Sequence, residues 1–342
     1  MADAYTRITD AFVPGPWANY VLEKTVETMD IFQAGVLYTD TDISSKLANG
    51  GYAVDMPMWY DLPNIPSEPV NDDPTDLIEI KKVTSRKERA ARNIRAQAFG
   101  VADLTAVLAG DDPMKVIESR FNAYWQRANK RTLISMLRGI VADNVANDNG
   151  DLVLDTNATV ADTDIINAAY VMGDQADKFS TLWMHSAQMK VLRKQELIDY
   201  RPAPDSNKPM LLPYYQGLRV ITDDDIPVVY SGTGAARVGE YTAFMFAQRA
   251  IIWNELPVTL EGGPIEPDRN PRAGHGAGTS WVVARRHFVP HVRGMTYVGT
   301  PADEFATDTE LAAASSWDRA TIDKKNIGFV AIRTTEPAPV PA

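Results

Sequence analysis

At 342 residues, 45% of them hydrophobic and 23% charged, the chain is long enough for two or three globular subdomains and too apolar to be disordered. Its formal net charge of −11 argues against a free-standing nucleic-acid binder, and the absence of cysteine excludes disulfides and thiolate metal sites and suits assembly in a reducing cytoplasm. No run approaches the roughly 18 apolar residues of a membrane span, and the opening Met1-Ala2-Asp3-Ala4-Tyr5 has no basic region followed by an apolar stretch, so no signal peptide is expected.

The charge is unevenly placed. Residues 1–80 hold 14 acidic and three basic residues, so the remainder sums to zero. Within 1–80, residues 17–34 carry Leu22, Val26, Met29 and Phe32 at helical spacing, which predicts a first helix. Asp40-Thr-Asp42 caps a short helical stretch, Ile43 to Leu47. Gly50-Gly51 breaks the chain, and residues 52–60 alternate as a strand that Pro57 confines to an edge or arm. Residues 61–79 hold Pro63, Pro66, Pro69 and Pro74 with the acids Glu68, Asp72, Asp73, Asp76 and Glu79, so they should be extended and solvated. A strand over 93–101 then brings the chain back, making 52–101 a long two-stranded excursion.

Asp111-Asp112-Pro113 is a strong helix start. Apolar residues from Ile117 to Val141 recur at helical spacing, so the helix runs to about Asn144, roughly 45 Å. Only Gly139 interrupts it, and Asn147-Asp148-Asn149-Gly150 ends it in a turn. Beyond 150 the pattern is mixed. Helices are expected over 162–176, 186–197 and 309–320, and strands over 179–185, 218–222, 227–230, 240–246, 251–260, 280–298 and 327–333. A Gly/Pro-rich loop over 262–279 and a Pro-rich tail over 336–342 complete the chain.

Several stretches carry a resemblance in their order. They are Gly51-Tyr-Ala-Val-Asp-Met-Pro-Met-Trp59, Phe99-Gly-Val-Ala-Asp-Leu through Asp111-Asp-Pro-Met114, and Arg120-Phe-Asn-Ala-Tyr-Trp125 with Leu137-Arg-Gly-Ile140. Trp183-Met-His-Ser186, Gly217-Leu-Arg-Val-Ile-Thr-Asp-Asp-Asp-Ile-Pro227 and Tyr241-Thr-Ala-Phe-Met-Phe246 with Ala250-Ile251 follow. Over nearly its whole length the chain resembles the major capsid proteins of tailed bacteriophages with the Hong Kong 97-type fold. The resemblance implies an α+β fold in four parts: an N-terminal arm (1–50), an extended β-hairpin loop (51–102), a peripheral domain on a long spine helix (103–150 and 236–300), and an axial domain (151–235 and 301–342). It implies self-assembly through pentamers and hexamers into an icosahedral shell that encloses double-stranded DNA, a virion protein assembled in the host cytoplasm. The expected partners are further copies of the chain, a separate scaffolding protein (no long charged leader is fused to this chain), a portal protein, a decorating protein, and packaged DNA by non-specific contact, with no membrane. An encapsulin-like enzyme compartment of the same fold is the alternative shell.

Enzyme motifs give way to structural readings. There is no Gly-x-Ser-x-Gly, no phosphate-binding Gly-x4-Gly-Lys-Ser/Thr and no His-Glu-x-x-His. Gly232-Thr-Gly-Ala-Ala-Arg237 lacks the helix a dinucleotide loop needs. His287 and His291 flank Pro290 in a strand-like stretch and would not share a helical face. Asp148-Asn-Gly-Asp151 lacks carboxylates at the outer positions of a calcium loop and reads as a turn. No catalytic residue, cofactor or metal is expected.

The remaining signal is the basic run Lys81, Lys82, Arg86, Lys87, Arg89, Arg92 and Arg95, interrupted only by the acid Glu88. A solvated face, a nucleic-acid contact without stacking aromatics, and a subunit contact with acids are all open. In the third reading the partners are Glu68, Asp72, Asp73 and Asp76 or the acidic N-terminal region.

Overall fold

Two twisted sheets share one long helix. The computed structural model describes Tyr5–Thr6 and most of residues 31–337, apart from 46–50, 110–112, 203–210, 233–236 and single positions that include Asp42, Tyr52, Asp73 and Asp76. The helix expected over 17–34 and the acidic cap Asp111-Asp112 lie outside the described residues. Ile31, Thr41, Ile43 and Ser45 are helical.

The chain begins with β1 (Tyr5–Thr6), β2 (Leu37–Tyr38), β3 (Ala53–Trp59), β4 (Ser85–Ala91) and β5 (Asn93–Ala102). Helices α1 (Asp103–Ala109) and α2 (Pro113–Asn147) follow, then β6 (Val153–Asp155), α3 (Asp162–Tyr170), β7 (Phe179–Met184) and α4 (Ser186–Lys194). Next come β8 (Asp199–Pro202), β9 (Leu211–Tyr215), β10 (Leu218–Thr222), β11 (Val229–Ser231), β12 (Val238–Ala247) and β13 (Ile251–Leu256). The chain closes with β14 (Ile265–Asn270), β15 (Thr279–Val292), β16 (Met295–Tyr297), α5 (Asp308–Leu311), β17 (Trp317–Arg319) and β18 (Phe329–Pro337).

Among the described residues, a six-stranded sheet runs β1-β5-β15-β13-β2, with β14 also on β15, an eight-stranded sheet runs β6-β18-β12-β7-β10-β9-β8, with β11 on β12, and β3-β4 and β16-β17 form two-stranded ribbons. β7 and β10 are parallel, so the chain must cross over between them, and α4 with the β8–β9 hairpin makes that crossover. Trp183, Phe244, Phe246 and Phe329 stack through the second sheet at centroid separations of 5.9 to 6.4 Å.

Helix α2 is 35 residues long, about 52 Å. Its first half is half-exposed and is seated on β5 by Phe99, Phe121, Tyr124 and Trp125, whose rings meet edge-on at 5.3 to 6.4 Å. From Thr132 to Asn144 it is buried on nearly every side. Gly139 is the reason this is sterically allowed. A Cβ there would lie 2.0 Å from the Leu311 carbonyl oxygen and 2.6 Å from Trp317 Nε1. Trp317 Nε1 itself donates to that carbonyl at 2.8 Å. Lys130, fully buried in the same helix, donates to Asp223 at 3.0 Å and pairs with Asp225, which pins the β10–β11 turn to α2.

Several expected elements change. β3 pairs with β4, Ala53 opposite Ala91, while Asn93–Ala102 pairs with β15 in the six-stranded sheet. The excursion is therefore shorter at its base than 52–101, because the return strand lies inside the basic run. The loop over 262–279 contains β14, an edge strand almost without buried residues, so no alternation marks it. The helix over 309–320 is one turn, α5, followed by β17, since Trp317 is drawn onto α2. The β8–β9 hairpin, with Pro202 and Pro213, carried no strand signal. Residues 238–247, expected with 251–300, pair in the second sheet with β7 and β18. Asn149 and Gly150 adopt positive φ, and Gly150 N–H donates to the Asn144 carbonyl, which is the expected helix-ending turn.

Gly139→Ala should destabilise the protein by about 3 kcal/mol, since backbone and an indole both block the added methyl. Trp125→Ala should cost about 3–5 kcal/mol through the cavity left beneath the aromatic cluster. Thermal unfolding followed by circular dichroism checks both; an unchanged melting temperature in either variant would show that its site can relax.

Candidate subunit interface

Strand alternation organises the β3–β4 hairpin. In β3 Val54, Met56 and Met58 turn toward the body while Asp55, Pro57 and Trp59 turn away. Pro57 costs no ladder bond because β3 pairs with β4 alone. In β4 Arg86, Glu88 and Ala90 face inward, and Lys87 and Arg89 face Asp55.

The period of two thus sorts the basic run into separate tasks. Outward, Asp55 accepts from Arg89 Nε at 2.6 Å and from Lys87 Nζ at 2.7 Å. The Arg89 hydrogen bond, helped by Lys87, outweighs partial burial and holds the Asp55 carboxyl down at about 2. Inward, Arg86 reaches Asp318 at 2.6 Å and the Tyr60 hydroxyl at 3.4 Å. Arg92 donates to His287 Nε2 at 2.7 Å and to the Gly51 carbonyl at 3.1 Å. Arg95 donates to the Ala306 carbonyl at 2.6 Å and to Asp308 at 3.1 Å. Lys81 pairs with its neighbour Glu79, and Lys82 is exposed. Five of the seven basic residues are therefore committed to acceptors elsewhere in their own chain.

The residues that hang the hairpin on the body had no sequence signal. Glu88 accepts from Gly294 N–H at 2.8 Å and meets the fully buried His291 Nε2 at 3.2 Å. Burial alone would raise the Glu88 carboxyl, but His291 and the Gly294 amide outweigh it and leave it lowered. Thr296 accepts from the Arg89 amide at 2.9 Å. His287 and His291 lie on β15 and are engaged separately, by Arg92 and by Glu88. Among the described residues no group of three or more metal-ligating side chains converges.

Beyond the hairpin, the described residues of 61–83 form no helix or strand, and every one of them is exposed. Glu68 and Asp72 are on this arm; Asp73 and Asp76 lie outside the described residues. The apolar content is the feature the composition concealed. Trp59 at the hairpin end is 74% exposed, Val70 99%, Leu77 83% and Ile80 93%, with Leu62, Ile65, Ile78 and Val83 also exposed. In the sequence Leu77-Ile78-Glu79-Ile80 is a short apolar run, set among prolines and acids whose composition is that of a solvated loop. An apolar stretch that its own chain leaves in water marks an interaction surface.

No protein-family profile matches the chain. It is 33% identical over 330 residues to the major capsid protein of Bacillus phage SPP1, covering 94% of this chain and 96% of that protein. Its fold is similar to the capsid of Ralstonia phage GP4, with TM-score 0.59 and 11% identity over 96% of this chain and 98% of that one. The capsid of cyanophage Pam1 gives TM-score 0.59 and 10% identity, covering 99% and 100% of the two chains.

The Asp55 pairs bear on the hairpin itself. Because the folded carboxyl is depressed, its contribution is fully present above the ordinary carboxylate range and is lost only as pH falls through about 2. Asp55→Asn should therefore raise amide exchange across β3–β4 at neutral pH, while global stability moves by less than about 1 kcal/mol for such exposed pairs. Hydrogen exchange by mass spectrometry reads this directly; unchanged exchange in 53–59 and 85–91 would show that the pairs do not hold the hairpin.

Proposed function

The chain belongs to the major capsid proteins of tailed phages, a structural component of the virion shell, and from that membership we propose how its parts serve assembly. The β3–β4 hairpin with its arm, residues 60–84, is the extended loop, and it works by covering a neighbouring subunit. The carrying observation is the arm's row of exposed apolar side chains between prolines and acids, none of which is buried against its own body among the described residues. Helix α2, with the sheet built on β5, β15 and β13, serves as the peripheral domain and its spine. The sheet built on β7, β10, β12 and β18 serves as the axial domain. We place their boundary at the turn between β12 and β13, after Ala247, since β12 pairs with β7 and β18.

The role is containment rather than catalysis. Copies assemble through pentamers and hexamers into an icosahedral shell, with a separate scaffolding protein directing curvature, a portal at one vertex and room for a decorating protein outside. DNA meets the inner wall by non-specific contact only, since a chain whose net charge is −11 has no overall attraction for a polyanion. No helix among the described residues is long and apolar enough to cross a membrane. The curated relative is a phage head protein, which favours a DNA-filled shell over an enzyme compartment.

Of the basic run, Lys82 is the residue most available to a neighbour, and Glu68 and Asp72 are the available acids. Arg86, Arg92 and Arg95 contribute to the interface by setting where the hairpin points, Lys87 and Arg89 by holding β4 to β3, and Lys81 pairs with Glu79 on the arm. Replacing residues 64–80 by a short Gly-Ser linker keeps β3, β4 and the body intact. The expected result is a folded subunit with wild-type circular dichroism that forms no shells by electron microscopy and stays small by light scattering. Shells of normal size and yield from this variant would show that the arm has no part in assembly.

A further inference from the structure

The acidic arm needs a receiving surface, and we propose that the exposed face of α4 on a second copy of the chain receives it. This rests on the reading that the arm crosses to a neighbour. It adds the place where the arm lands.

Helix α4 is amphipathic. Gln188, Met189 and Leu192 are buried, while Lys190, Arg193 and Lys194 are exposed on the opposite side. Spacings of three and four put these three cations on one face. They rim a shallow groove of about 490 Å³ lined by Ser186, Met189, Lys190, Arg193, Lys194 and Thr222. Among the described residues none of the three cations pairs with an acid; Arg193 lies 5.8 Å over the Tyr200 ring. The groove therefore presents three cations without an acidic partner among the described residues, above a Met189 that is itself buried.

The arm is its complement. Glu68 and Asp72 are exposed without a basic partner among the described residues, and the same segment carries Leu77, Ile78 and Ile80. An exposed segment that carries both carboxylates and aliphatic side chains fits a groove with a basic rim. Reach is sufficient to leave the parent body. About a dozen residues out and a dozen back, at about 3.3 Å each, extend the tip about 40 Å beyond the hairpin. Their high exposure shows that the parent body does not take them up. Each exposed pair is weak, so the contact depends on several acting together and on repetition in every subunit.

Charge exchange tests the pairing. Lys190→Glu, Arg193→Glu and Lys194→Glu together should raise the concentration for half-maximal assembly by about tenfold, the effect of several weakened surface pairs. Adding Glu68→Lys and Asp72→Lys in the same chain should restore assembly. Wild-type assembly of the triple reversal would overturn the proposal. So would a defect that the compensating changes leave uncorrected, including one in which the reversal instead lowers DNA retained per particle, which would assign the face to phosphate contact.

The cysteine-free chain permits a second measurement independent of folding losses. Copies carrying Asp72→Cys are mixed with copies carrying Arg193→Cys, assembled, and treated with a short bis-maleimide. A cross-linked dimer specific to the mixture supports the site. If Asp72→Cys bearing a photo-cross-linker attaches to another copy but never near 186–194, the arm crosses to a neighbour and this landing place is wrong. If it attaches to no other copy, the reading of the arm itself fails.

Discussion

A long helix can be enclosed on all sides only where the neighbouring backbone comes close enough to exclude water. In α2 that condition is met at Gly139, against the Leu311 carbonyl and the Trp317 indole. The contact explains why 308–319 breaks into a single helical turn and a short strand instead of one helix. Trp317 must present its N–H to Leu311 while its ring closes over the glycine, and a continuous helix would carry the two along its own axis. With that side closed, the buried half of α2 can touch both sheets, and Lys130 can reach the Asp223–Asp225 turn in a dry setting where the ion pairs satisfy it. The helix thereby couples the sheet that carries the hairpin to the sheet that carries α4.

The hairpin is attached by polar groups more than by apolar packing. Beyond a small cluster around Val54 and Ala90, it depends on Glu88 with His291 and the Gly294 amide, Arg86 with Asp318, and the Arg89 amide with Thr296. Such bonds are directional, so they set an angle as well as an affinity. Charge on β4 consequently has two separate uses. Inward residues orient the hairpin on the body, and outward residues tie β4 to β3 through Asp55. This division follows from the two-residue period of a strand and cannot occur on a solvated coil.

Elements with a strong local period were legible: Pro113–Asn147, Phe179–Met184, Leu218–Thr222 and the strand halves of β12 and β13 match their patterns closely. Illegible elements lacked a buried face. Ser85–Ala91 reads as a charged run because its inward positions are Arg86, Glu88 and Ala90, so hydrophobicity does not alternate along it. β14 and the β8–β9 hairpin pair with strands adjacent in the chain, but β14 has no buried residue and β8 and β9 carry prolines, so neither shows a two-residue hydrophobic period. At the interface, the location of the arm was readable from its prolines and acids. The partners of the basic run were not, since Asp318, Asp308 and His287 lie about 195 to 230 residues away.

The composition of the arm reconciles two demands on a shell subunit. Aliphatic side chains supply free energy when covered, about 25 cal/mol per Å², and that free energy is non-directional. A long apolar strand left in water would also pair with any exposed sheet edge, including edges on unassembled copies. Prolines remove backbone donors and acids add mutual repulsion, so arms do not pair with one another. The same acids select a basic surface over a neutral one. Specificity then arises from charge and adhesion from the aliphatic groups, each too weak alone to hold two free subunits together. Under the proposed contact, every arm in a closed shell is engaged at once, and each subunit is held both by the arm it extends and by the arm it receives.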